Sequence, residues 1–146
     1  MPIIIKNAQD IEFMRISCKL AAEVLDYIEP YVQPGITTLE LDKLCHDYIV
    51  NVQQAYPSPL NYKPNPKGPA FPNSICTSIN SEICHGIPNE KALKDGDIVN
   101  LDITVYKNGY HGDTSRTFLV GNKVSPQAKR LVQITYEAMW LGIQQV

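Results

Sequence analysis

The stretch Asn100–Phe118, NLDITVYKNGYHGDTSRTF, sets two acids, Asp102 and Asp113, inside what otherwise reads as a pair of β-strands. Asn108-Gly109 is the dipeptide best suited to the positive φ angles of a type I′ turn, so it is the expected two-residue loop. Lys107 then faces Tyr110, Thr104 faces Asp113 and Asp102 faces Ser115. Directly opposed residues share a sheet face, and so do residues two apart. Asp102 and Asp113 therefore become diagonal neighbours about 7 to 8 Å apart at their Cα atoms. Asn100, Thr104, Tyr106, His111, Ser115 and Thr117 belong to the same face, while Leu101, Ile103, Val105 and Phe118 point the other way. A bulge or an odd-length loop would throw one acid to the opposite side. Two adjacent carboxylates repel unless one is protonated or a cation lies between them. Divalent ions held roughly 3.5 to 4 Å apart by such groups clamp an attacking and a leaving oxygen. The competing reading is a solvated strand face with two acids that happen to be neighbours, and the spacing alone does not choose between them.

Upstream of the hairpin, Ile11, Met14, Cys18, Ala21, Leu25, Ile28 and Val32 recur at steps of three and four, which predicts one side of a helix capped by Asn7. Pro30 strains its last turn and Pro34-Gly35 closes it. Thr37 lies three residues before Glu40, the spacing of a capping box, and opens a second helix with Leu41, Leu44, Cys45, Tyr48 and Val52 as its buried stripe. Between Ala55 and Asn73 six prolines rule out helix or central strand, so residues 57–72 are expected as an ordered loop or lid. SICTSI and the segment around EICHGIP read as short strands flanking an Asn80-Ser81 turn. Ser125 and Pro126 start a last helix with Ala128, Leu131, Val132, Ala138, Met139, Ile143 and Val146 toward one side. That helix shows no stop signal, which raises the expectation of further protein beyond it. The fold class expected is α/β in the α+β sense, an antiparallel sheet with helices on one face.

Composition narrows the function. A chain of 146 residues is the size of one domain. With 13 basic and 15 acidic residues it has a net charge of −2 and no basic stripe, so nucleic acid is not implied. It carries neither a secretory signal nor an apolar run long enough for a bilayer, and a soluble cytoplasmic protein is expected. Cys18, Cys45, Cys76 and Cys84 then read as reduced thiols. Cys84 and His85, adjacent in an expected strand, would point to opposite faces and could not form a thiol protease pair. The cysteines lack the paired spacings of a structural zinc site. His111 is expected to support the acid face, and His46 to have no chemical role.

The segments EPYVQPGITTLELD, PSPLNY, SICTSINSEICHGIP, LKDGDIVNLDITV and GYHGDTSRTFLVG, in that order, resemble the N-terminal part of type I methionine aminopeptidases, through nearly the whole chain. The resemblance implies the pita-bread fold, two pseudo-symmetric halves around a dinuclear metal site, with residues 1–146 as the N-terminal part of the catalytic domain. It implies removal of the initiator methionine from nascent polypeptides by metal-hydroxide attack on the first peptide bond. By motif position Asp102 and Asp113 match the two aspartate metal ligands, and His85 matches the substrate-facing histidine. Tyr62, Phe71 and Cys76 would form the methionine pocket, where sulfur against aromatic rings is favourable by about 0.3 to 1.5 kcal/mol. Hard carboxylate ligands leave Co, Mn, Fe and Zn open as the two divalent ions. The loop NYKPNPKGPAFPN is longer than the usual family segment, which ties Phe71 to the pocket less directly than Tyr62. Implied partners are nascent polypeptide N-termini, with ribosome association, no membrane, no specific nucleic acid, and a monomeric state when full length. Complete members add one histidine and two glutamate ligands from their second half, whereas after Asp113 this chain has no histidine and one glutamate, Glu137. The alternatives are therefore an inactive half-domain that needs a partner half, or a noncatalytic binding module on the same scaffold.

Overall fold

The computed structural model describes residues 3–146. Helix α1 (Ala8–Ile28) opens on a closed capping box: the Asn7 side chain accepts from the Asp10 N–H and the Asp10 carboxylate accepts from the Asn7 N–H. A 3₁₀ turn, Glu29–Tyr31, tolerates Pro30 in its first turn, where no N–H is needed. Helix α2 (Thr38–Asp47) starts at the expected Thr37/Glu40 box and continues as a π-helical turn, Tyr48–Val52. Strands β1 (Tyr56–Pro57), β2 (Cys76–Ile79), β3 (Ile98–Lys107) and β4 (Tyr110–Leu119) precede helix α3 (Pro126–Ile143), which Ser125 caps as its sequence predicts.

Strand β3 organises the sheet. It pairs antiparallel with β4 along its whole length, while β2 (Cys76↔Asp102 to Ile79↔Val99) and β1 (Tyr56↔Tyr106) share its other edge. Val99, Leu101, Ile103, Val105 and Phe118 turn to one side and pack into a core with Ala21, Val24, Leu25, Ile28, Leu41, Cys45 and Ile49. The opposite side of the sheet stays open. The expected fold class holds, with α1 on the packed face.

Three expectations need correction. On α1 the buried set is Ser17, Ala21, Val24, Leu25 and Ile28, while Ile11 is 43% exposed and Cys18 is exposed. The helix turns Ser17 inward because it docks against Gly112, where a Cβ would lie 2.1 Å from the Ser17 carbonyl. On α2 the stripe runs Leu41, Cys45, Ile49, and the wider π turn carries Val52 out to 66% exposure. The segment around EICHGIP is not a strand. It is irregular, held by Thr77 N–H donating to the Gly86 carbonyl (2.9 Å) and Gly86 N–H donating to Ser78 Oγ (3.2 Å). His85 sits at φ +55°, so strand alternation does not govern Cys84 and His85; Cys84 is exposed and no hydrogen bond links the pair. Helix α3 carries the expected apolar side but has no buried residue: Leu131, Met139 and Ile143 are 60, 48 and 48% exposed, because no element among the described residues covers it. No helix among those residues is long and apolar enough to cross a membrane, and all four cysteines are free thiols.

Candidate metal centre and its cavity

The β3–β4 turn takes the expected form, with Asn108 at φ +52° and Gly109 at φ +89°. Without a bulge, Thr104 pairs with Asp113 and Asp102 with Ser115, so both acids lie on the open face. The register is pinned energetically: a slip of β3 by one residue would carry Asp102 into the core, away from Asp113, and Leu101, Ile103 and Val105 into water. The turn is held from behind by α1, where the buried Ser17 hydroxyl is shared between the carbonyls of Lys107 (3.2 Å) and Tyr110 (3.0 Å).

Asp102 is half-buried, and its carboxyl is pushed above the usual range, first by desolvation, then by the neighbouring Asp113, with His85 acting in the opposite direction. Among the described residues no cation pairs with either acid; the basic side chains in ion pairs serve Asp26, Glu29, Glu23 and Asp95 instead. Two neighbouring carboxylates, Asp102 half-buried and Asp113 exposed, without a protein cation form a donor set that fits hard divalent ions. They form only part of a coordination shell, since among the described residues no group of three or more metal-ligating side chains comes together.

The acids stand in the wall of a cavity of about 620 Å³. All the other residues singled out from the sequence line it as well: Tyr62, Phe71, Cys76 and His85. Each arrives by a different device. The Pro-rich loop is closed at its base by Asn61 N–H to the Phe71 carbonyl (2.9 Å) and Phe71 N–H to the Tyr62 carbonyl (2.8 Å), which sets the two aromatic residues side by side. Cys76 lies opposite Asp102 on β2, and burial followed by the charges of Asp102 and Asp113 pushes its thiol up to about 11. The approach to β2 is braced from α2. The Asp42 carboxylate accepts from the N–H groups of Ser74 (2.8 Å) and Ile75 (3.1 Å) and from Asn73 Nδ2 (2.8 Å), and His46 Nδ1 lies 2.7 Å from Ser74 Oγ. His46, expected to be idle, thus has a bracing contact. His85 reaches the cavity from a left-handed backbone that side chains other than glycine seldom adopt. The following Gly86 allows this, because a Cβ there would meet the Thr77 carbonyl oxygen at 2.0 Å.

Sequence reasoning missed part of the wall. Ser58, Pro59, Pro64 and Ile87 also line the cavity. Their positions follow from loop closures between distant residues, and no local periodicity marks them. Thr104 and His111, placed on the acid face by the hairpin register, are there too.

Comparison with known proteins places the chain in a family. The profile of metallopeptidase family M24 matches residues 12–146. The methionine aminopeptidase of Escherichia coli strain K12 is 52% identical over 147 aligned residues, a match that takes in 100% of this chain and 53% of that protein. The crystal structure of methionine aminopeptidase from Rickettsia prowazekii superposes with a TM-score of 0.88 at 52% identity, covering 95% of this chain and 53% of that one. That of the Thermotoga maritima enzyme gives a TM-score of 0.89 at 30% identity, covering 99% and 55%. The chain spans about half the length of the relatives it matches, and its fold is one half of the pita-bread arrangement. With the match running through the core, the hairpin and α3, the chain belongs to metallopeptidase family M24.

Proposed function

We propose that residues 1–146 form the N-terminal half of a methionine aminopeptidase catalytic domain that releases the first methionine of nascent polypeptides in the cytoplasm. One observation carries the reading: Asp102 and Asp113 are neighbours on the open face of the sheet, without a protein cation, in the wall of a cavity that Tyr62 and Phe71 also line. Relatives at 52% identity named methionine aminopeptidase support it.

In this reading Asp102 and Asp113 hold divalent ions, with Co, Mn, Fe and Zn all compatible with carboxylate ligation. When bound, such ions supply Lewis acidity and a nucleophile at neutral pH. The chain's own residues do the rest of the work on this side of the site. Tyr62, Phe71 and Cys76 take the unbranched methionine side chain, and a thiol held neutral by its pKa of about 11 keeps that wall uncharged. His85 presents an imidazole at the scissile amide, where it orients the peptide and offers a hydrogen bond. Two aspartates fall short of a full shell, so catalysis requires the histidine and glutamate ligands that the resemblance assigns to the second half.

The test is metal-dependent release of methionine from the peptide Met-Ala-Ser by the protein extended through that second half. Folded protein that releases nothing with Mn, Co, Fe or Zn overturns the reading. The exposed apolar side of α3 favours a second reading, a half-domain that acts only when joined by a partner half. Sedimentation decides it: a monodisperse, cooperatively unfolding and active 146-residue monomer excludes it.

A further inference from the structure

We propose that His111, locked in place by Ser58, is a further substrate-binding residue, whose Nε2–H donates to a main-chain carbonyl oxygen just beyond the scissile bond. The inference rests on the aminopeptidase reading above and adds a contact to it. Ser58 Oγ lies 2.8 Å from His111 Nδ1. Ser58 is itself fixed, its N–H donating to the Thr104 carbonyl at 2.9 Å. On its other side the imidazole rests against Tyr106, its cross-strand partner, with ring centroids 4.8 Å apart and planes at 45°. An exposed strand histidine has no need of such fixing, and ordering a side chain costs conformational entropy.

The proposed tautomer carries the ring proton on Nε2, and in it the hydroxyl of Ser58, whose one partner among the described residues is Nδ1 of His111, donates to Nδ1. Nε2 has no protein partner among those residues, and His111 lines the cavity. In that tautomer the ring is a donor held by Ser58 and Tyr106, facing a cavity in which the described residues supply it no acceptor. Position identifies the acceptor. His111 lies two residues before Asp113 on the same strand face, about 6.7 Å along the strand, or roughly two residues of an extended peptide. A peptide with its first bond at the acids brings the carbonyl of its second residue within that span. Contact with a carbonyl oxygen reads the main chain whatever the side chain.

The experiment uses the 146-residue chain labelled uniformly with ¹³C and ¹⁵N, at pH 8 with Zn²⁺, followed by long-range ¹H–¹⁵N correlation of the histidine rings and by amide and aromatic correlation of the other residues. His111 is expected as the Nε2–H tautomer. Met-Ala-Ser is expected to shift its Nε2 together with the resonances of Tyr62 and Phe71. Methioninamide, which ends before the second carbonyl, should shift Tyr62 and Phe71 alone. Ser58→Ala is expected to mix the tautomers and weaken the tripeptide roughly fivefold, the equivalent of one ordinary hydrogen bond, with methioninamide unaffected. His111→Gln, which keeps an N–H donor, should retain part of the tripeptide preference that His111→Leu loses. Unmoved α1 amide resonances certify the fold of each variant; where they move, the tautomer and peptide shifts of the unaltered chain decide. An Nδ1–H tautomer overturns the inference, as does a tripeptide that moves Tyr62 and Phe71 but leaves His111. If neither ligand moves any of the three, the same titration is made with the protein extended through its second half, in chelator so that the peptide is not cleaved, and absence of shifts there overturns the aminopeptidase reading of these residues and the inference with it.

Discussion

The two faces of the β3–β4 hairpin obey opposite rules. On the face toward α1, Leu101, Ile103 and Val105 are fully buried, Phe118 is nearly so, and Gly112 lets helix backbone touch strand backbone. On the cavity face, two like charges stand together at the expense of desolvation and repulsion. The packed face fixes the register, and the register alone brings Asp102 beside Asp113. What the comparison teaches is that a charged site in a sheet is held by the apolar side it does not use.

If that is right, the site is most easily broken from behind. Gly112→Ala places a Cβ 2.1 Å from the Ser17 backbone, so α1 has to lift from the hairpin. A loss of about 3 kcal/mol or more is expected in urea unfolding, with weaker divalent-ion binding as the hairpin loosens. Ser17→Ala removes a buried hydroxyl shared by the Lys107 and Tyr110 carbonyls, and a loss of about 1 to 2 kcal/mol by the same measurement is expected. Arg116 joins the same face to α1 through Asp26 (2.8 Å) and Glu29 (3.1 Å), but these pairs are open to solvent. Arg116→Ala should therefore cost no more than about 1 kcal/mol, less in high salt.

These effects also mark what was legible in the sequence. The hairpin could be read residue by residue, because Asn108-Gly109 dictates a turn type and strict alternation dictates the faces. The capping boxes at Asn7 and Thr37 could be read for a similar reason: their partners lie three residues away. The face of α1 was misread, because Ser17 counts as polar in a periodicity and its burial depends on a glycine nearly a hundred residues later. EICHGIP has the β-branched composition of a strand, yet the left-handed His85 and the close contact of Gly86 with Thr77 turn it into a loop. On α3 the amphipathic pattern is real, but a pattern reveals a face and does not name what covers it. In the cavity, the acids, His85, Tyr62, Phe71 and Cys76 were marked by motif, whereas Pro64 and Ile87 come from loop shapes that long-range hydrogen bonds decide.

The smallest predicted effect has the opposite sign and tests the open face. Asp102 is held above its ordinary range in the folded chain, so across the interval between its unfolded and folded values the native state binds more protons than the unfolded one. Stability conferred at low pH is lost as pH rises through that interval. Asp113→Asn removes the second cause of the shift and leaves the first, burial, in place. In chelator, the variant should lose less stability than the parent between pH 4 and pH 7, and at pH 7 should be more stable by a few tenths of a kcal/mol, the cavity side being open to solvent. Adding a divalent ion should reverse the order, because an ion that binds the folded parent stabilises it by mass action and the variant has lost a ligand. A variant less stable than its parent in chelator would mean that the two acids do not repel. Equal stabilisation of both chains by the ion would mean that Asp113 does not hold it.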